Sequence, residues 1–187
     1  MTSRHPEQPL VIGVHSSVEM VNRGIFEYPK STSVEPHCSF VIGEEAILRL
    51  GERVTIYSGC RFRSRSGGLI IEDDVSFGPN CVVYEWRAGG RIGQCSMIAA
   101  GVSISGVNHG SQSGENSYRD QPVTTYPLNI GSNVWIGMNV TILPGVSIGD
   151  HAIIGAGSVV TRSIPAGVVA YGSPCRVIRP AGASKLP

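Results

Sequence analysis

The chain has 187 residues, enough for one domain with its own core, and its formal net charge of +1 offers no field to draw in nucleic acid or acidic lipid. It has no Lys/Arg run, no apolar stretch near the length of a membrane span, and no basic N-terminal segment leading into a long apolar one. Five cysteines, an odd number without metal-ligand spacing, fit a reducing compartment, so the expectation is a cytoplasmic protein with no nucleic-acid partner and no membrane insertion.

Residues 1–40 carry no clean repeat, and the Pro- and Ser-rich stretch 28–38 reads as loop. This segment is expected to cap the first repeat of the chain, because an uncovered strand edge leaves backbone groups unpaired. From about Val41 a period of six sets in, carried by Leu50, Ile56 and Phe62, then by Ile71, Phe77 and Val83, then by Ile92, Ile98 and Ile104. The steps from Phe62 to Ile71 and from Val83 to Ile92 are nine residues, so residues 63–68 and 85–90 are expected as small protruding loops. Residues 105–129 are polar, contain Gly and Pro, and show no period. An excursion that long is a functional candidate, and it contains His109.

The period is clearest over residues 130–160. An aliphatic residue recurs every six positions at Ile130, Ile136, Ile142, Ile148, Ile154 and Val160, and Val134, Val140, Val146, Ala152 and Ser158 stand four positions after the first five. Six is the period of neither a helix face nor a single strand. It is that of a coiled β-solenoid, in which one short strand and one corner make a unit and three units make a triangular turn. A β-sandwich can also set aliphatics between glycines, but six repeats in phase favour the solenoid. Cys60 and Cys81 fall on the small-residue position, where a thiol serves as a small hydrophobe. After Val160 the repeat stops. The expected layout is an N-terminal cap at 1–40, a solenoid at 41–162 with a long loop at 105–129, and a C-terminal cap and tail at 163–187.

Residues 134–180, VWIGMNVTILPGVSIGDHAIIGAGSVVTRSIPAGVVAYGSPCRVIRP, and residues 91–110, RIGQCSMIAAGVSISGVNHG, resemble the hexapeptide-repeat acyltransferases. The resemblance is strongest to the sugar O-acetyltransferases acting on galactosides, maltose and nodulation factors, and extends to the xenobiotic acetyltransferases. It implies an all-β, left-handed parallel β-helix, a hand that strand-crossover statistics alone would not choose. It also implies a homotrimer with active sites in the clefts between subunits, acetyl-CoA as co-substrate, and a saccharide or glycoconjugate hydroxyl as acceptor. Two other enzymatic readings stay open, transfer to an antibiotic hydroxyl and transfer to an amino sugar, as does a non-catalytic solenoid scaffold. A γ-class carbonic anhydrase shares the fold and binds zinc through several histidines. Here only His109 and His151 lie in the repeat region, with no close His pair, so no metal is expected.

By the same resemblance His109 is the general base, since an attacking hydroxyl must lose its proton and imidazole titrates near working pH. Asn108 beside it matches the Asn-His pair of the xenobiotic branch. The backbone at Met138 and Ala156 matches the contacts to the pantetheine arm, with the Met138 amide near the thioester. Met138 replaces a Ser of the galactoside branch, so only its amide can serve. Thr161, Arg162, Arg176 and Arg179 match positions around the nucleotide end, where guanidinium groups suit phosphate oxygens. The Tyr-x-Asn that helps hold the acceptor in the galactoside branch reads Phe77, Gly78, Pro79 here. Asn80, Tyr84, Glu85 and Trp86 are the candidate acceptor contacts, against the competing reading of a plain loop tip. Trp135 is expected to pack beside the cleft, and Cys175 need not be a nucleophile.

Overall fold

A computed structural model describes residues 13–21, 23–114 and 117–182. The chain winds as a left-handed β-helix in which each coil has three short strands and each strand pairs in parallel with its counterpart one coil above and below. In the coil beginning at Val82, for example, the strands are Val82–Tyr84 on the first face, Gly90–Ile92 on the second and Met97–Ile98 on the third. The third face is one continuous sheet running from Ser33–Val34 to Val168–Tyr171.

The six-residue period follows from what each position does. Its aliphatic residue points inward and stacks on the same residue of neighbouring coils, so that Ile56, Phe77, Ile98, Ile136 and Ile154 form one buried ladder under the third face. The small position four residues later closes the corner, and there Cys60, Cys81, Val102 and Val140 are buried. A fully buried aliphatic contributes about 1.5–3 kcal/mol, whereas ordering the backbone costs about 1–2 kcal/mol per residue. One ladder residue per unit therefore cannot hold a coil alone, and each coil depends on the apolar contacts and backbone bonds of its neighbours. The early coils add an aromatic stack, Phe26 on Phe40 on Phe62 at ring separations of 4.9 and 5.2 Å.

Four expectations change. Residues 17–34 are no separate cap: Ser17–Met20 and Ile25–Glu27 pair in register with Ser39–Leu50, and Ser33–Val34 pairs with Thr55–Ile56, a full coil laid on the next. The stretch read as loop thus holds a strand, hidden because polar residues and prolines interrupt its period. Residues 63–68 do not protrude. They lie inside the strand Arg61–Ile71, which with Ser39–Leu50 continues through the first corner and joins two faces. At 85–90 the extra residues turn inward: Trp86 is fully buried and its indole N–H donates to the Gly67 carbonyl at 3.1 Å. Gly67, at φ +81°, is needed there, since a Cβ would stand 2.3 Å from the Trp86 carbonyl oxygen. Finally, the long excursion is an ordered arm. Val107–His109 and Val123–Thr125 form an antiparallel hairpin, with a short 3-10 turn at Tyr118–Asp120 near its tip.

The first corner is where every insertion falls. It holds residues 85–89 in one coil and 106–127 in the next, stacked directly, with the Gly106 N–H on the Tyr84 carbonyl at 3.0 Å. At the other end the last parallel strand, Val168–Tyr171, turns back into Arg176–Pro180, which pairs antiparallel and closes the stack. Residues 1–12 and 183–187, parts of the expected cap and tail, lie outside the described residues.

Candidate active site

His109 ends the first strand of the hairpin, opposite Val123, and its side chain is exposed with no hydrogen-bond partner among the described residues. The arm is braced at its base. The Tyr126 N–H donates to the Gly106 carbonyl at 2.7 Å, and the Tyr126 ring lies against Gly145 of the next coil. An imidazole on a short braced hairpin, held clear of the wall, can reach a reacting group that the wall of its own coil does not hold.

Met138 and Ala156 stand at a different corner, between the third face and the first, one directly above the other. The Gly157 N–H donates to the Met138 carbonyl at 2.8 Å, and Ala156 lies against Gly137. Both residues are exposed, and neither amide has an acceptor among the described residues. Three of the matching amides at the second-to-third-face corner are occupied instead. Those of Glu52, Gln94 and Ser132 donate to Asp73, Glu72 and Asp150 carboxylates at 2.9, 3.1 and 2.7 Å. Lower on the Met138 column the equivalent Ser58 amide is taken by the Glu35 carboxylate at 3.1 Å. Corner amides of this kind can bind carboxylate oxygens, and those of the exposed Met138 and Ala156 are left without an acceptor among the described residues. Sequence reasoning found these two positions by resemblance alone; the pattern of capped and uncapped corners was invisible in it.

Above Ala156 the column continues to Gly172, whose N–H meets the Ser158 hydroxyl at 3.0 Å, and then to Arg176 beside Tyr171. Arg176 is exposed and donates to the Cys175 carbonyl, whereas Arg179, three residues on, donates to that of Pro180. Thr161 and Arg162 are exposed at the first corner of the last coil. The third face leads into the column through Met97, Trp135 and Ile153, in register, with Met97 and Trp135 exposed. Cys175 is buried, and burial pushes its thiol above the ordinary range, which suits packing and not attack.

The acceptor candidates divide. Tyr84 is exposed on the first face, one coil below Ser105 and beside the base of the arm. Glu85 and Trp86 are corrections: both are buried, the Glu85 carboxylate is held by the Arg87 guanidinium, and the indole is spent on Gly67. Nine-residue spacing at a corner that must also seat the arm calls for inward filler, which is what these side chains supply. Asn80, at φ +60°, forms the third-to-first-face corner, where its side chain lies over Gly59, away from His109 in the same chain. Among the described residues no group of three or more His, Cys, Asp or Glu side chains could hold a metal ion.

The family described as bacterial transferase hexapeptide (six repeats) matches residues 127–162, and the hexapeptide repeat of succinyl-transferase matches residues 68–105. Galactoside O-acetyltransferase of Escherichia coli (strain K12) is 48% identical over 88 residues, which is 47% of this chain and 42% of that enzyme, so the likeness spans less than half of the relative. A galactoside acetyltransferase solved in complex with coenzyme A is 28% identical, with a TM-score of 0.51 over 89% of this chain and 64% of that one. AntD, an N-acyltransferase from Bacillus cereus solved in complex with dTDP and 3-hydroxybutyryl-CoA, gives a TM-score of 0.61 over 90% of this chain and 84% of its own. At 18% identity, that likeness is one of fold. The winding and the repeat thus define the class by fold: hexapeptide repeats at residues 68–105 and 127–162, wound as the left-handed β-helix also seen in solved acyltransferases. Over the matched 88 residues its sequence is similar to that of the galactoside O-acetyltransferase.

Proposed function

We propose that this chain is an acetyl-CoA-dependent O-acetyltransferase that modifies a hydroxyl of a saccharide or glycoconjugate precursor, working as a cytoplasmic homotrimer. His109 takes the proton of the acceptor hydroxyl as its oxygen attacks the thioester carbonyl carbon. The Met138 N–H donates to the oxygen on which negative charge develops, a contribution of about 3 kcal/mol at comparable sites. As the C–S bond breaks, His109 returns the proton to the departing sulfur. The acetyl group ends on oxygen and the thiol leaves neutral, with no acyl-enzyme needed. The Ala156 amide holds the pantetheine arm one coil higher, and Arg176, Arg179, Thr161 and Arg162 face the phosphates of the nucleotide end.

The observation that carries this reading is the pair of exposed residues Met138 and Ala156, whose amides have no acceptor among the described residues, while Glu52, Ser58, Gln94 and Ser132 at equivalent turns bind carboxylate oxygens. Placement supports the homotrimer. His109 and Met138 occupy different corners of one triangle, so a hairpin from a second copy is what brings imidazole and amide together, and a ring of three closes such head-to-tail contacts. All five cysteines are free thiols, in keeping with a reducing compartment. No helix among the described residues is long and apolar enough to cross a membrane.

The test is thiol release from acetyl-CoA over a panel of sugars, nucleotide sugars and hydroxylated antibiotics, with products weighed by mass spectrometry. His109→Ala should lower turnover by about 100-fold or more while leaving the assembly intact. Near-normal turnover in that variant, or no thiol release by the native protein on any acceptor, rejects the reading.

A further inference from the structure

Arg61, Arg63 and Arg65 occupy alternate positions of the long strand Arg61–Ile71, all three exposed, with Phe62 and Ser64 buried between them. Alternation along the strand sets the three side chains on its outer side, with successive Cα positions about 7 Å apart. Arg49, Arg53, Arg87 and Arg91 each hold a carboxylate, but among the described residues no ion pair involves Arg61, Arg63 or Arg65. Their register partners are Ser39 and Val82 for Arg61, and Val41 and Tyr84 for Arg63, none of them acidic. Arg65 lies over Gly43, and the exposed Glu44 and Glu45 follow in the same bulge without forming an ion pair with it among the described residues. Three like charges in a row repel one another, an arrangement that a bound anion relieves.

The position of the row gives it a use. Arg63, Tyr84 and Ser105 are in register on three successive coils, and the arm carrying His109 leaves the wall at Gly106. Neighbouring strands are about 4.8 Å apart, so the Arg63 backbone lies about 10 Å from that of Ser105. That is the span of a sugar ring with one linkage, and the exposed Tyr84 ring lies between, a surface on which a sugar face can rest. The chain as a whole carries only +1, so the feature is a local one, not a general polyanion-binding surface.

We infer that Arg61, Arg63 and Arg65 form an anion subsite of the acceptor, so that the preferred acceptor is a saccharide bearing a phosphate or carboxylate. This rests on the acetyltransferase reading and narrows its substrate class. Paired guanidinium donors match both anions, and the long side chains reach to either side of Tyr84.

The experiment compares thiol release from acetyl-CoA with glucose, glucose 6-phosphate, UDP-glucose and glucuronate as acceptors, alongside calorimetric binding of each without acetyl-CoA. The subsite predicts kcat/KM at least tenfold higher for one or more of the anionic sugars than for glucose, carried mainly by KM. The phosphorylated and carboxylated arms tell the two anions apart. Arg63→Gln should bring the ratio of anionic to neutral acceptor towards one, whereas Arg63→Lys should keep most of it. Because these side chains are exposed, all variants should unfold at the native temperature. Equal use of neutral and anionic sugars, or an unchanged ratio in Arg63→Gln, overturns the subsite and leaves the acetyltransferase reading standing. Anion binding lost in Arg63→Gln, with no thiol release on any acceptor, supports the subsite and rejects the reaction.

Discussion

Ser96 shows how single residues carry this fold. It occupies a small-residue position that holds Val, Ala or Cys in most other units, is fully buried, and bridges two coils by donating to the Gly131 carbonyl at 2.9 Å and accepting the Val134 N–H at 3.1 Å. A hydroxyl survives in the core because both of its roles are filled. Trp86 is the larger case, a side chain expected at a surface and found filling the interior beneath the arm that carries His109. Trp86→Ala should cost about 3–5 kcal/mol, read as a lower midpoint in chemical denaturation, because the coil above cannot collapse into the space. A loss under about 1 kcal/mol would mean that the indole is not seated as described. His109 was legible as a residue, since it is the one histidine of the aperiodic stretch. Its setting on a paired strand was not, because Val107 to Thr125 carries no alternation long enough to announce a hairpin.

Among the elements, the second-to-third-face corner is held by a ladder of charges. Arg53 lies on Asp74 and Arg91 on Glu72, each arginine one coil from its carboxylate. The Arg91 guanidinium, mainly through its hydrogen bond, holds the Glu72 carboxyl below the ordinary range, and Arg53 does the same for Asp74. A carboxyl whose folded-state pKa is depressed stabilises the protein above its unfolded pKa, about 4, and loses that contribution as pH falls through the lower folded value. The fall in unfolding temperature between pH 5 and pH 2 should therefore be steeper in the native protein than in Glu72→Gln. The pair is largely exposed, so the difference should stay under about 1 kcal/mol and shrink in 0.5 M salt. Parallel slopes would show that the bridge contributes nothing. The coil formed by residues 17–34 belongs to this scale too. Strand pairing, not its own apolar period, holds it, which is why polar residues and Pro36 are tolerated there.

For the molecule as a whole, the arm and the Met138 corner belong to different sides of one prism, so the proposed reaction requires copies set side by side. Light scattering should find an assembly of about 59 kDa, three times the 19.8 kDa chain. Mixing His109→Ala with a variant bearing Met138→Pro, which removes the amide donor, should restore some of the activity that each lacks, because one cleft of a mixed trimer combines two intact halves. A monomer, or no complementation, would mean that each chain works alone. The period of six determined the winding, the inward ladder and the place of the excursion, because repetition forces equivalent residues into equivalent stacked positions and needs no long-range information. The hand of the coil entered through resemblance. Only the folded chain decided which side of the first corner its extra residues took, that the opening residues join the stack, and which backbone amides stay uncapped. Each of those depends on what the adjacent coil, some twenty residues away, already occupies.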